Sequence, residues 1–266
     1  MIKYNMNQRG QKTIGKLNNK AQVTIFIILA LILIVGIVFI FLLRRGPEVS
    51  VVSEENPQAY IEGCTRDALE EALDLIMINA GDIEPKSTVL YQGQNISYLC
   101  YQENYYYSCI NQKPLLLEHI QDQIDLYIKP MISNCFQVLE TTLEPRYEVE
   151  MEEYWDLNAK LTSKSVEVYI DREFKMQRGS NVRNFNLFKT SIVHPIYHLA
   201  ETAMEIVNQE AEFCNFDVLG FMIIYPQYDI KKFRTGDSNI IYTLREFAGN
   251  KEFKFAIRGC VIPPGY

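Results

Sequence analysis

Twenty-three consecutive residues, Ala21 to Leu43 (AQVTIFIILALILIVGIVFIFLL), carry no charge and only Gln22, Thr24 and Gly36 break their apolar character. As a helix this run is about 34 Å long at ~1.5 Å per residue, enough for a hydrocarbon core of about 30 Å. A buried core helix is seldom apolar on all sides for more than about 14 residues. A cleaved secretory signal has a shorter apolar core followed by a small-x-small site; here Arg44-Arg45-Gly46-Pro47 follows instead. The run therefore reads as a retained transmembrane helix, residues 21–43, in contact with the lipid bilayer. Lys3, Arg9, Lys12, Lys16 and Lys20 precede it, and no acid occurs before Glu48. The excess of basic residues on that side places 1–20 in the cytoplasm as a leader and the rest of the chain outside, at the cell membrane.

The charge asymmetry also excludes a class of function. Beyond Pro47 there are 19 basic and 33 acidic residues, a net charge of −14. Phosphate backbones require clustered Lys and Arg, so nucleic acid is not an expected partner.

Residues 15–35 (GKLNNKAQVTIFIILALILIV) resemble the class III signal of archaeal type IV pilin-like membrane-anchored proteins. The resemblance implies processing by a prepilin-type peptidase at the Lys20-Ala21 pair, leaving Gln22 as the mature N-terminus and the helix intact. Two residues depart from the pattern. Phe26 stands where many pilins carry a filament-docking Glu, and Arg44-Arg45-Gly46-Pro47 ends the helix where a pilin stem continues. The resemblance is confined to about 25 residues of leader and anchor, and it points to a surface protein more than to a filament subunit.

Residues 44–56 read as a linker, and 57–266 as an extracytoplasmic domain with a candidate break at 141–146. Asn56-Pro57 is a helix start, an Asn cap followed by Pro in the first turn. Apolar residues at spacings of three and four continue that helix to about Ala80. STVLYQGQ, NISYLCYQ and YYYSCINQ read as strands or a hairpin. A second helix opens at Pro114, with Pro130 expected to kink or split it. Strands dominate from Tyr147 to Val193. A third helix follows Pro195, and GFMIIYPQYDI, NIIYTLREF and EFKFAIRG read as closing strands. Helices and antiparallel-type strands segregate, so the fold class is α+β, with three main helices.

Six cysteines lie beyond the apolar run, at 64, 100, 109, 135, 214 and 260. An even number outside the cell reads as disulfides, although six cysteines allow 15 pairings. Local structure favours Cys64–Cys135 between two helices, Cys100–Cys109 across a hairpin, and Cys214–Cys260 between the last helix and the last strand. No CxxC occurs, which disfavours zinc. Asn95-Ile96-Ser97 is an N-glycosylation sequon.

The chemistry-bearing residues are few. His194, His198 and Glu201 or Glu205 would share one side of a helix, and two His with a carboxylate can hold zinc. The glutamate is not placed as in HExxH, and Pro195 puts His194 at the helix start. Acid-rich stretches (Glu148, Glu150, Glu152 and Glu153; Asp67, Glu70, Glu71 and Asp74) read as solvated faces. Tyr105-Tyr106-Tyr107, with Tyr91, Tyr98 and Tyr101 nearby, offers a contact surface. No dinucleotide, P-loop, nucleophile-elbow or EF-hand motif is present, and no cofactor or catalytic residue is expected. The expected function is a membrane-anchored surface protein with a structural, adhesion or interaction role toward proteins at the cell surface. The alternatives are a minor pilin-like subunit processed between Ala21 and Gln22, and a membrane-tethered extracytoplasmic hydrolase.

Overall fold

A computed structural model describes residues 29–35, 56–247 and 249–263. The leader with Lys20, Ala21 and Gln22, both ends of the apolar run and residues 44–55 lie outside the described residues. The chain divides into two compact units at Val49/Ser50. In the first, residues 29–35 are helical and every side chain is exposed, from Leu29 at 52% to Val35 at 65%. Among the described residues no helix is long and apolar enough to cross a membrane.

The second unit is α+β. Helix α1 (Pro57–Ile78) starts where the Asn56 side chain accepts the Ala59 N–H at 3.2 Å and Pro57 occupies the first turn. Its buried stripe runs Ile61, Thr65, Ala68, Leu69, Ala72, Leu73, Ile76. The chain leaves through Gly81, whose positive φ of +92° and 2.9 Å clearance between a Cβ and Leu116 Cδ1 both require glycine. Helix α2 (Leu116–Leu143) buries an isoleucine ladder, Ile120, Ile124, Ile128 and Ile132, then Phe136. It continues through Pro130 as one helix and is not split there; Pro130 lies on the exposed face, away from the core. The two helices run antiparallel. Cys64 is bonded to Cys135, and the Tyr127 hydroxyl donates to Glu71 at 2.8 Å.

Strands β1 (Thr88–Tyr91), β2 (Gln94–Tyr101) and β3 (Ile110–Asn111) come between them. After α2 come β4 (Glu148–Met151), β5 (Asp156–Leu161), β6 (Ser165–Arg178) and β7 (Asn181–Val193). Helices α3 (Ile196–Phe213) and α4 (Val218–Ile224) precede β8 (Tyr228–Arg234), β9 (Ile240–Glu246) and β10 (Glu252–Arg258). One sheet has the order β1-β2-β10-β9-β8, with β3 also on β2. It is antiparallel except where β10 pairs parallel with β2. In the other, β6 carries β7 along one edge and β5 then β4 along the opposite edge. Alternation on β5 and β6 turns Leu157, Ala159, Leu161, Val166, Val168 and Ile170 inward. Phe136 sits among Trp155, Phe174 and Phe188, ring centroids 5.3–6.4 Å away. The free edge of β5 is closed by α2: Asp125 and Gln121, one turn apart, accept the Ala159 and Leu161 N–H groups at 2.7 and 2.9 Å. Burial raises the Asp125 carboxyl to about 6, although the Ala159 N–H opposes this.

Two expected strands are corrected. Residues 218–224 form α4, because the Asp217 side chain caps Gly220 N–H at 3.0 Å; the strand begins only at Tyr228. Tyr105–Ser108 form a loop, and only Ile110–Asn111 pair with β2. The turn at 144–147 does not separate two cores, since buried residues on both sides of it belong to one cluster.

Candidate functional site

The three disulfides join Cys64 to Cys135, Cys100 to Cys109 and Cys214 to Cys260, with Cα separations of 6.6, 5.3 and 5.9 Å. The last two meet at one end of the domain. There Cys260 N–H donates to Tyr107 O at 2.6 Å, and Tyr106 N–H donates to Val261 O at 2.9 Å. Arg258 Nη1 donates to the carbonyls of Gln102 and Glu103 at 2.6 and 2.9 Å. Gly259 packs so closely that a Cβ would stand 2.7 Å from Cys109 N. Residues 102–109 are thereby a fastened loop, and Tyr105, Tyr106 and Tyr107 stand on it 46–66% exposed. The fastening acts on the loop backbone and leaves the three tyrosine rings facing solvent. The other tyrosines near it differ. Tyr98 is buried and donates to Asn239 Oδ1 at 2.8 Å.

The histidines do not converge on a metal. His194 is 8% exposed at the end of β7, its Nδ1 accepting Ile196 N–H at 3.3 Å, while its Nε2 has no partner. His194 thus serves as a cap for the first turn of α3. His198 is half-buried, with Nδ1 3.7 Å from Glu201 Oε2 one turn on. It lines an open depression of about 500 Å³ with Gln227, Tyr228, Glu246 and Phe247. Among the described residues no three His, Cys, Asp or Glu side chains are grouped to hold a metal.

Burial, reinforced by Lys251 and opposed by Asp74, lowers the His194 imidazole to about 4 from 6.5. The unfolded chain therefore binds the extra proton between those values. Stability from this group is complete above about pH 6.5 and falls as pH drops toward 4, by about 3 kcal/mol in all. Between pH 7 and pH 4.5 the raised Asp125 carboxyl stabilises the fold on acidification and offsets part of this loss, so the His194 contribution is read as a difference in urea unfolding: the native chain should lose more stability than His194→Asn, whose amide can still accept the Ile196 N–H. An equal loss in the variant would exclude His194 as the source.

Sequence reasoning did not find the half-buried ionic cluster at Asp82. Asp82 Oδ2 lies 2.7 Å from Lys113 Nζ and accepts Ser97 Oγ at 2.8 Å; Oδ1 lies 2.8 Å from His119 Nε2. Burial opposes ionisation of Asp82, but the bonds from His119, Lys113 and Ser97 outweigh it and hold the carboxyl below its usual range. Ser97 and His119 both address the carboxylate rather than each other, so no activated nucleophile results. The cluster ties the exit of α1 to β2 and to the start of α2. Its members lie far apart in sequence, and no local pattern marks them. Asn95, the sequon residue, is exposed beside the β1–β2 turn.

The chain matches no known protein family, no curated protein and no solved structure.

Proposed function

We propose that this is a single-pass membrane protein whose disulfide-bonded α+β domain lies outside the cell and serves a structural, adhesive or binding role without catalysis. The observation that carries the reading is the complete pairing of six cysteines: none is free. Disulfides persist in oxidising compartments and are rare in the cytosol. The apolar run is the proposed anchor, and the exposed helical turn at 29–35 suits lipid as its solvent. The fastened tyrosine loop supplies a contact surface.

Lys20-Ala21-Gln22 supports a second reading, a minor pilin-like subunit with the leader removed. Mass spectrometry of the mature N-terminus from the membrane fraction, with protease accessibility on intact cells, tests both. An intact leader with an accessible domain is the expected result. A start at Gln22 moves the assignment to pilin-like assembly. A start beyond Leu43, or a domain shielded in intact cells, overturns the anchored-surface reading.

A further inference from the structure

We propose that the outward face of α4 rests in the acyl-chain boundary of the bilayer and holds the external domain against the membrane surface by one side. The inference rests on the single-pass reading and adds a second, peripheral lipid contact to it. Helix α4 is apolar on both sides. Val218, Phe221 and Met222 pack on the core. The Phe221 ring centroid lies 5.3 Å from that of Phe216, and Met222 Sδ accepts Ile230 N–H at 3.4 Å. The opposite side is Leu219, Gly220, Ile223 and Ile224, and its three large side chains are 72%, 81% and 70% exposed.

Leu219 and Ile223, four residues apart, stand one above the other, and Ile224 flanks them. A surface helix turns polar residues outward, and a helix apolar all round is one that something covers. The apolar surface continues past the end of the helix. Tyr225 is 44% exposed, and Phe247, also exposed, is tied to the same turn by its N–H to Gln227 O at 2.7 Å. No residue from Val218 to Tyr228 is charged. The acids at the two ends of this run are engaged: Asp217 caps the helix, and Asp229 is paired with Arg245 at 2.6 Å.

Two further observations select lipid as the cover. The first is reach. Residues 44–55, between the apolar run and Asn56, span at most about 42 Å when fully extended. Residues 57–266 fold to a body about 40 Å across, so a tether of that length lets any of its faces turn to the bilayer. It also holds the domain at high effective concentration there, where a weak contact suffices. The second is size. Leu219, Ile223, Ile224, Tyr225 and Phe247 are far fewer than the roughly 20–30 residues a side that a stable protein interface takes. Hydrocarbon needs no matching surface, since each apolar side chain gains by leaving water wherever it inserts. Tyr225, with an apolar ring and a polar tip, suits the level of the head groups. The net charge of −14 beyond Pro47 is repelled by anionic lipid, so the contact is apolar rather than electrostatic.

Trp155 is the sole tryptophan of the chain, so an added tryptophan is read against one fixed background. The full chain is reconstituted into phosphatidylcholine vesicles with and without bromine near the head-group end of one acyl chain, which quenches indole on contact. Ile223→Trp changes an exposed position and leaves the packed side of α4 intact. Its added emission should shift to the blue and fall by about half in the brominated vesicles. Tyr154→Trp, at an exposed position between β4 and β5 of the other sheet, is the control and should lose none of its added emission. No quenching at position 223, or equal quenching at 223 and 154, overturns the proposal. A blue shift at 223 without quenching that grows with the protein-to-lipid ratio also overturns it, because a second copy then covers the face. Flotation of the native chain with vesicles after an alkaline wash tests the anchor separately. A chain that floats but is not quenched at 223 overturns the docking and leaves the anchored reading standing. A chain that does not float overturns both, since the docking depends on the tether.

Discussion

Replacing Cys64 and Cys135 together by alanine is expected to destabilise the domain by about 4 kcal/mol. The bond closes a loop with a sequence separation of 71 residues, so its loss frees the unfolded chain more than loss of Cys100–Cys109, with a separation of 9, where about 3 kcal/mol is expected. It also fastens α1 to α2 at the end where α1 begins. Replacing both cysteines avoids a leftover thiol that could exchange with the remaining bridges. Urea unfolding under oxidising conditions, followed by Trp155 emission, measures the difference. A loss no greater than that of the Cys100/Cys109 double variant would show that loop entropy does not set the order of these bridges.

Phe136→Ala is expected to cost about 4 kcal/mol. The ring is fully buried, edge-on to Phe188 at 5.3 Å and near Trp155 and Phe174. It also covers the Arg172 guanidinium at 4.5 Å. Truncation therefore leaves a cavity beside a charge whose Nη1 already lacks a partner. Phe136→Leu fills most of that space and should cost less than half as much. Equal losses for the two variants in chemical denaturation would mean that aromatic contact with Arg172, rather than cavity volume, dominates.

The long elements were legible because each carries its own signal. Asn56-Pro57 marks the start of α1, and the isoleucines four apart mark the buried side of α2. Strict alternation identifies β5 and β6. Once a hairpin was placed between two helices, the cysteine pairs followed from proximity. Legibility failed where one apolar string suits two structures. Residues 218–224 are apolar on all sides, and only the cap from Asp217 selects a helix. Tyr105–Tyr107 have strand composition, but the two neighbouring disulfides and Arg258 hold them as a loop.

The sequence by itself determined the apolar run, the charge asymmetry around it, the α+β class and the helix and strand faces that must be covered. These are local properties: period, capping and composition act over a few residues. Only the tertiary structure decided which faces meet. It placed β10 parallel to β2, gathered Asp82, Ser97, Lys113 and His119 from three segments, and set Asp156 against Asp171 across two strands. Such juxtapositions depend on strand register and helix packing across tens to more than a hundred residues, where no periodicity in the chain records the partner.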